Sequence, residues 1–210
     1  AQVEVLRGPQ STLQGRNALA GAIVMSTKAP SYEWDGKLRL GYGEYGHREA
    51  AVAFGGELID NQMAFRLSAE QTDLDGFKTN ITRNKTSDFL SNDTYRAKFL
   101  IEPEAVPALS INIGITHNKN TMGVLWTDNN LLPEHPNAVA LDVKTHEFME
   151  NDIFTVQFDY EINDIWSFSA ITAYSDSDYG YLWDGDTTAK PESTLDYTRS
   201  DITFSEEIRL

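Results

Sequence analysis

The sequence predicts an all-β protein whose strands form an antiparallel, up-and-down sheet of the kind that spans a membrane as a β-barrel. From about residue 34 onward, apolar and polar residues alternate in runs of roughly ten residues. Alternation with a period of two places successive side chains on opposite faces of a strand. The lengths of these runs are nearer to the ~9 to 11 residues that a tilted strand needs to cross a bilayer than to the ~5 to 6 that strands of soluble proteins average.

Eight alternating runs follow one another, each with apolar side chains on one face and polar ones on the other. The clearest is the fifth, in which Leu109, Ile111, Ile113 and Ile115 alternate with polar residues. The other runs lie at 37–42, 50–58, 63–70, 95–101, 154–160, 166–174 and 202–210. Glu206 falls on the apolar face of the last run, which suggests a β-bulge there.

The connections between the runs differ in length in a regular way. After a short first link at 44–47, the short links 57–62, 102–107 and 161–165 alternate with the long polar segments 73–93, 118–150 and 177–199. Every second connection of an up-and-down sheet lies on the same side, so the long segments emerge together. Outer-membrane barrels have this asymmetry, with short periplasmic turns and longer extracellular loops.

Composition excludes several other classes of protein. The 32 acidic residues outnumber the 17 basic ones, for a net charge of −15, and this argues against a nucleic-acid partner, which needs clustered Lys and Arg. Cysteine is absent, so neither disulfides nor thiolate metal sites can form. The four histidines are scattered and do not have the H-E-x-x-H spacing of zinc enzymes. We therefore predict no metal site.

The first 30 residues have a different pattern: a short strand, a Gly-Pro turn, a connection rich in Gly and Asn, and a second strand. This segment resembles the closing part of the plug domain of TonB-dependent outer-membrane receptors. The positions that carry the resemblance are Arg7, Gly8, Pro9, Gly15, Arg16, Asn17 and Gly21. Gln14 replaces a usual aromatic residue, and Ala20 replaces a glycine. Residues 75–77 and 205–210 are similar to barrel segments of the same family.

The resemblance implies a barrel of ~22 strands whose interior is closed by the plug. Residues 1–30 would then be the C-terminal end of the plug domain, and residues 31–210 the N-terminal part of the barrel, with about eight of its strands. An open sheet edge in lipid would leave unpaired backbone groups, each costing several kcal/mol. We therefore expect most of the plug, the TonB box and the remaining strands to lie outside this sequence.

The function implied by the resemblance is active transport across the outer membrane of a Gram-negative bacterium, driven by TonB. The most common cargo among such receptors is a ferric-siderophore complex, and iron would enter only as part of that cargo. No cofactor and no enzymatic reaction are expected. A complete small eight-stranded outer-membrane barrel, serving as an anchor or a membrane enzyme, and a soluble β-sandwich binding module are the alternatives.

Two groups of residues are candidates for functional contacts. If the resemblance holds, Arg7 and Arg16 face the barrel interior, where Glu207 and Arg209 also point by strand parity, and Glu207 is a candidate ion-pair partner. Ligand contacts should come from the long loops, whose aromatic and acidic residues include Trp126, Tyr179, Tyr181, Trp183, Asp184 and Asp186. A solvated acidic loop is the simpler interpretation of the second group.

Overall fold

The structure is a computed structural model that describes residues 2–8, 20–123 and 137–210. The chain separates into two compact units, Ala1–Pro30 and Ser31–Leu210. In the first, β1 (Gln2–Arg7) pairs antiparallel with β2 (Gly21–Ser26). Gly21 has φ +145°, and a Cβ there would lie 2.4 Å from the Leu6 carbonyl oxygen, so the position requires glycine. The assignment of this unit to a plug domain stays a prediction.

The described residues of the second unit contain the remaining strands and one short 3₁₀ turn, Glu44–Gly46. In chain order the strands are β3 (Asp35–Tyr42), β4 (Arg48–Ile59), β5 (Met63–Leu74), β6 (Thr79–Asn80), β7 (Lys85–Thr86), β8 (Leu90–Ile101), β9 (Leu109–Met122), β10 (Ala138–Val139), β11 (His146–Glu161), β12 (Ser167–Asp184) and β13 (Thr194–Arg209). The eight long strands form one antiparallel sheet in which each pairs with the next, and β6, β7 and β10 form a separate small sheet.

Across the parts of the chain that the structure covers, no helix is long and apolar enough to cross a bilayer.

The sheet register confirms the predicted alternation. One row of directly opposed residues is aromatic or aliphatic throughout: Phe54, Leu67, Ala97, Ile115, Phe154, Tyr174 and Phe204. The adjacent row on the opposite face has no large hydrophobic side chain: Gly55, Arg66, Lys98, Gly114, Thr155, Ala173 and Ser205. We call these two surfaces the apolar face and the polar face of the sheet.

The apolar face is largely uncovered within the described residues. Ile115 is 48% exposed and Phe204 is 64% exposed, although both lie in the middle of long strands. A soluble sandwich would bury such a surface against a second sheet. Here the eight long strands form a single sheet instead. An extended apolar surface of this kind is suited to contact with lipid.

The three strands at one lateral edge of the sheet are longer than predicted. β11, β12 and β13 contain 16, 18 and 16 residues, so the polar ends of these strands also pair. Tyr179, Tyr181, Trp183 and Asp184 therefore lie in β12, whereas the sequence placed them in a loop. The prediction was wrong because backbone ladder bonds do not require apolar side chains, and polar residues on both faces hide the strand pattern.

The suggested bulge at Glu206 is also wrong. β12 and β13 pair residue by residue, with Glu206 opposite Thr172 and no shift in register. Glu206 therefore lies on the apolar face, as parity requires. The irregularity in the sheet lies elsewhere, between Glu57 and Ile59 of β4.

The connections have the predicted arrangement. The short links at 60–62, 102–108 and 162–166 share one end of the sheet. The opposite end has the 3₁₀ turn and the longer segments 75–89, 123–145 and 185–193. We call these the short-turn end and the long-loop end.

The chain entering β3 packs on the short-turn end. The hydroxyl of Tyr32 donates to Glu102 Oε2 at 2.6 Å, and partial burial together with this carboxylate raises the pKa of Tyr32 to about 12. The Trp34 ring packs edge-on against Phe65, with centroids 5.7 Å apart. Phe65 also meets Phe54 edge-on at 5.9 Å. This aromatic group lies beside a pair of glycines in β4.

Gly55 and Gly56 permit these close approaches for different reasons. A Cβ on Gly55 would lie 2.4 Å from the carbonyl oxygen of Phe65, which the sheet ladder holds in place. A Cβ on Gly56 would lie 2.3 Å from the Trp34 ring. Because Trp34 is 66% exposed, its ring can rotate away, whereas the carbonyl oxygen cannot move without disturbing the ladder.

We expect Gly55→Ala to lower the free energy of unfolding by ~1–3 kcal/mol, and Gly56→Ala to lower it by less, since only the former forces a backbone shift. The measurement is urea unfolding of the full-length protein folded into lipid vesicles. Gly36→Ala is the control, because its nearest neighbour atom would be 3.8 Å from the added Cβ. Equal effects of all three substitutions would contradict this interpretation.

Candidate ligand-binding site

Four aromatic side chains meet at the long-loop end of β12 and β13. Tyr179, Tyr181 and Trp183 are alternate residues of β12 and so share one face, and Tyr197 of β13 lies directly opposite Tyr181. The rings of Tyr181 and Trp183 stack with centroids 3.9 Å apart and planes 20° apart. Tyr197 stacks against Tyr181 at 5.3 Å, and Tyr179 lies 6.4 Å from Tyr197. We call these four residues the aromatic cluster.

The aromatic cluster belongs to the polar face of the sheet. Counting back along β12 in steps of two from Tyr181 leads to Ala173, which lies in the same row as Arg66 and Lys98. The cluster therefore continues the polar face beyond the apolar rows. Its rings are therefore not part of the apolar face.

Charged groups flank the aromatic cluster on both neighbouring strands. Glu147 of β11 lies directly opposite Tyr181 and contributes a carboxylate on the same face. Arg199 of β13 lies opposite Tyr179, and its Nε forms an ion pair with Asp201 Oδ2 at 2.6 Å. Ring faces, phenol hydroxyls and a carboxylate together suit a ligand that has flat or apolar groups and polar edges.

Asp184 and Asp186 have a different environment from the aromatic cluster. Asp184 points to the opposite side of β12, is 6% exposed, and accepts the backbone N–H groups of Asp142 at 3.1 Å and Thr187 at 2.7 Å. Asp186 accepts the N–H of Thr188 at 3.0 Å and that of Ser193 at 2.9 Å. Both carboxylates thus hold the backbone of the loops in place through hydrogen bonds. Contact of either carboxylate with a ligand stays a prediction.

The pKa values of these two carboxyl groups move in opposite directions. Burial raises the pKa of Asp184, and the nearby Asp142 side chain and Asp186 charge act in the same direction against the backbone N–H donors. The hydrogen bond from the Thr188 hydroxyl is the largest influence on Asp186 and lowers its pKa, with the Ser193 N–H acting in the same sense.

The remaining predicted site residues are placed as follows. Trp126, Pro9, Gly15, Arg16 and Asn17 lie outside the described residues. Arg7 ends β1, and Gly8 follows it with φ +86°, a conformation that favours glycine. Glu207 accepts a hydrogen bond from Arg209 Nε within β13, so this carboxylate already has a cationic partner.

Tyr197 belongs to the site but was not among the predicted residues. The sequence interpretation treated 177–199 as loop, and in a loop the distance in sequence between Tyr181 and Tyr197 suggests no contact. Only the register of β12 and β13 brings the two rings together. Extending the alternation through Tyr179, Tyr181 and Trp183 would have been the available signal for a longer strand.

Compared with profiles of known protein families, the chain matches none. It is 23% identical over 204 residues to the ferrioxamine receptor of Yersinia enterocolitica, a match that covers 89% of this chain and 27% of that receptor. It is 37% identical over 67 residues to the ferrioxamine B receptor of Salmonella typhimurium strain SL1344, covering 31% of this chain and 10% of that protein. The ferric yersiniabactin uptake receptor from Yersinia pestis superposes with a TM-score of 0.83 at 16% identity, over 98% of this chain and 32% of that one.

The chain has the fold of a TonB-dependent outer-membrane receptor. In this receptor fold the apolar face meets lipid, the polar face lines the interior, and the long-loop end is extracellular. The chain is accordingly located in the outer membrane. The matched proteins are named as receptors, two for ferrioxamines and one for the uptake of ferric yersiniabactin. The chain spans about a third or less of the length of these relatives.

The raised pKa of Asp184 predicts a pH-dependent loop. The folded loop holds the Asp184 proton more tightly than an opened loop does, so this contribution to stability is fully present below the ordinary pKa of aspartate and is lost as pH rises through the raised value. We expect protection of the Asp142 and Thr187 amides from hydrogen exchange, corrected for intrinsic rates, to fall over this range. Asp184→Asn should remove the dependence.

Asp186→Asn is the matched control for this measurement, because the Asp186 pKa is shifted in the opposite direction. The control should keep the loss of protection at rising pH, over a narrower pH range because the Asp186 charge also helps to raise the pKa of Asp184. Protection that increases with pH in the unmodified protein, or an unchanged profile in Asp184→Asn, would show that Asp184 does not govern the loop.

Proposed function

We propose that this chain is part of a receptor that takes up a ferric-siderophore complex across the outer membrane. The observation that carries the proposal is the aromatic cluster on the polar, interior-facing side of β12 and β13 at the extracellular end. A ligand entering from outside reaches this surface before it reaches the interior. The names of the related receptors, which include two for ferrioxamines and one for ferric yersiniabactin, support the same ligand class.

The chemistry of the cluster supports a bulky metal complex with an organic shell. Tyrosine and tryptophan bury large apolar ring faces while their hydroxyl and N–H groups bond polar edges, which is why they dominate many binding surfaces. Glu147 adds negative charge beside the rings, and the chain as a whole has a net charge of −15. These charges favour a neutral or cationic complex over a free anion.

The transport step in this proposal depends on parts of the protein beyond this chain. A plug closes the interior, TonB acts on the plug through a segment outside this sequence, and iron crosses only as part of the cargo. Within the chain, Arg7 and Arg16 remain the candidate plug residues, and Glu207 and Arg209 the candidate barrel residues, for an ion pair that holds the plug.

Truncation of the stacked ring tests the aromatic cluster. In the full-length receptor we expect Tyr181→Ala to weaken binding of ferrioxamine B by about tenfold or more, the loss typical of a central aromatic contact. Tryptophan fluorescence titration measures the affinity. Tyr174→Ala is the matched control, because it removes the same side chain from the same strand on the apolar face.

Growth of a deletion strain tests the ligand class independently. Loss of the gene should impair growth on one or more siderophores as sole iron source, and the full-length gene should restore it. Unchanged growth on every siderophore tested would refute siderophore uptake and favour cobalamin, haem or a saccharide as cargo. Equal affinities of Tyr181→Ala and Tyr174→Ala would instead remove the aromatic cluster from the binding site.

Charge reversal tests the proposed plug contact. Arg7→Glu should reduce uptake, and adding Glu207→Arg should restore it in part, since the swap re-forms an opposite-charge pair. The matched control combines Arg7→Glu with Glu206→Arg, which makes the same change one residue away on the apolar face. If both double variants behave alike in the uptake assay, Arg7 and Glu207 do not pair.

A further inference from the structure

A cavity lies at the long-loop end, away from β12 and β13. It has a volume of ≈ 400 Å³ and lies between the segment that follows β5, which includes β6 and β7, and the residues that lead into β11. We call it the loop pocket. None of the aromatic-cluster residues lines it.

The walls of the loop pocket are held by buried hydrogen bonds. β6 pairs with β10, which follows it by almost 60 residues in the chain. Asn80 is 3% exposed; its Nδ2 donates to the Leu141 carbonyl at 2.9 Å, and its Oδ1 accepts the Leu141 N–H at 3.3 Å. Leu141 itself is 1% exposed. Two separate loops thus form one ordered body with a preformed cavity.

Three basic side chains line the loop pocket: Arg83, Lys85 and Lys144. The one acidic lining residue among those described, Asp75, pairs through Oδ1 with Arg48 Nη2 at 2.7 Å, outside the lining. Within residues 2–8, 20–123 and 137–210, no carboxylate forms an ion pair with the three basic groups. The loop pocket therefore has a local excess of positive charge, although the chain as a whole has a net charge of −15.

Two of the three cations are positioned by neighbouring groups. Arg83 Nη1 donates to the Asp142 carbonyl at 3.1 Å, which leaves other N–H donors of its guanidinium for a ligand. Lys144 Nζ lies 5.0 Å from the centre of the Phe89 ring, within the range of a cation–π interaction. Neither contact neutralises the positive charge. The pocket therefore holds oriented donors without an acceptor of matching charge.

We propose that the loop pocket binds a phosphate-bearing group. A guanidinium presents paired N–H donors that match two phosphate oxygens, and lysine ammonium groups add point charges. The cavity is larger than a single phosphate, so it accommodates a phosphorylated sugar or headgroup. This chemistry has two sources at the extracellular side of the outer membrane, namely a phosphorylated lipopolysaccharide of the outer leaflet and a soluble phosphate compound.

The test titrates inorganic pyrophosphate into the full-length receptor at constant ionic strength, with calorimetric detection. The pocket variant carries Arg83→Gln, Lys85→Gln and Lys144→Gln. The control variant carries Lys37→Gln, Lys119→Gln and Lys190→Gln, which remove the same charge at exposed or partly exposed positions elsewhere. We expect the pocket variant to bind at least about tenfold more weakly than the unmodified protein and the control variant to bind normally.

Two further measurements distinguish the two sources of the phosphate group and exclude misfolding as the cause of weaker binding. Native mass spectrometry measures retained lipopolysaccharide, and circular dichroism checks that all three proteins share the same strand content. Loss of lipopolysaccharide from the pocket variant alone supports the lipid source, whereas unchanged lipopolysaccharide with weakened pyrophosphate binding supports the soluble source. If the pocket variant matches the unmodified protein in both binding readouts, including the case in which pyrophosphate binds none of the proteins and all retain equal lipopolysaccharide, the proposal is overturned.

Discussion

The structure depends on one constraint: every long strand must satisfy its backbone groups through its neighbours while presenting an apolar face outward. In lipid an unpaired N–H or C=O group costs several kcal/mol, so the ladder must be continuous wherever the sheet meets hydrocarbon. Between β3 and β13 the register of the eight long strands meets this requirement, with a single irregularity in β4 near the short-turn end. The outer edges of β3 and β13 have no partner strand among the described residues. The row of residues that contains Phe54 then faces lipid, and the row that contains Arg66 faces the interior. No second layer of structure is needed to separate the two.

The same ladder also builds the candidate ligand surface. β12 and β13 keep their pairing beyond the apolar rows, so Tyr181 and Tyr197 remain directly opposed there. Gly180 contributes by its lack of a side chain, because a Cβ at that position would lie 2.5 Å from the Phe148 ring and 2.7 Å from the Tyr197 carbonyl oxygen. Alternation directs the rings inward, so a strand that spans the membrane also positions the candidate ligand surface beyond it.

Buried carboxylates order the long loops, where apolar packing is scarce. Asp88 is 2% exposed and accepts the N–H groups of Phe77 at 3.0 Å and Lys78 at 2.8 Å. Asp184 likewise accepts the N–H groups of Asp142, which precedes β11, and of Thr187 in the loop after β12. Gly76, at φ +90°, permits the approach, because a Cβ there would lie 2.3 Å from Asp88 Oδ1. From the sequence, the many acidic residues suggest loops surrounded by solvent. In the structure, two of these carboxylates are buried and bind the backbone N–H groups of the loops.

The sequence by itself determined the all-β class, the eight strands, the two faces and the arrangement of short and long connections, because a period of two is a local property of a strand. It identified Tyr179, Tyr181 and Trp183 as candidates, since dense aromatic residues in a polar region are visible without a fold. The tertiary structure decided that these residues lie in a strand, that Tyr197 joins them, and that Asp184 is buried on the opposite side. Register and loop docking depend on contacts between residues far apart in the chain, and the local pattern contains no record of those contacts.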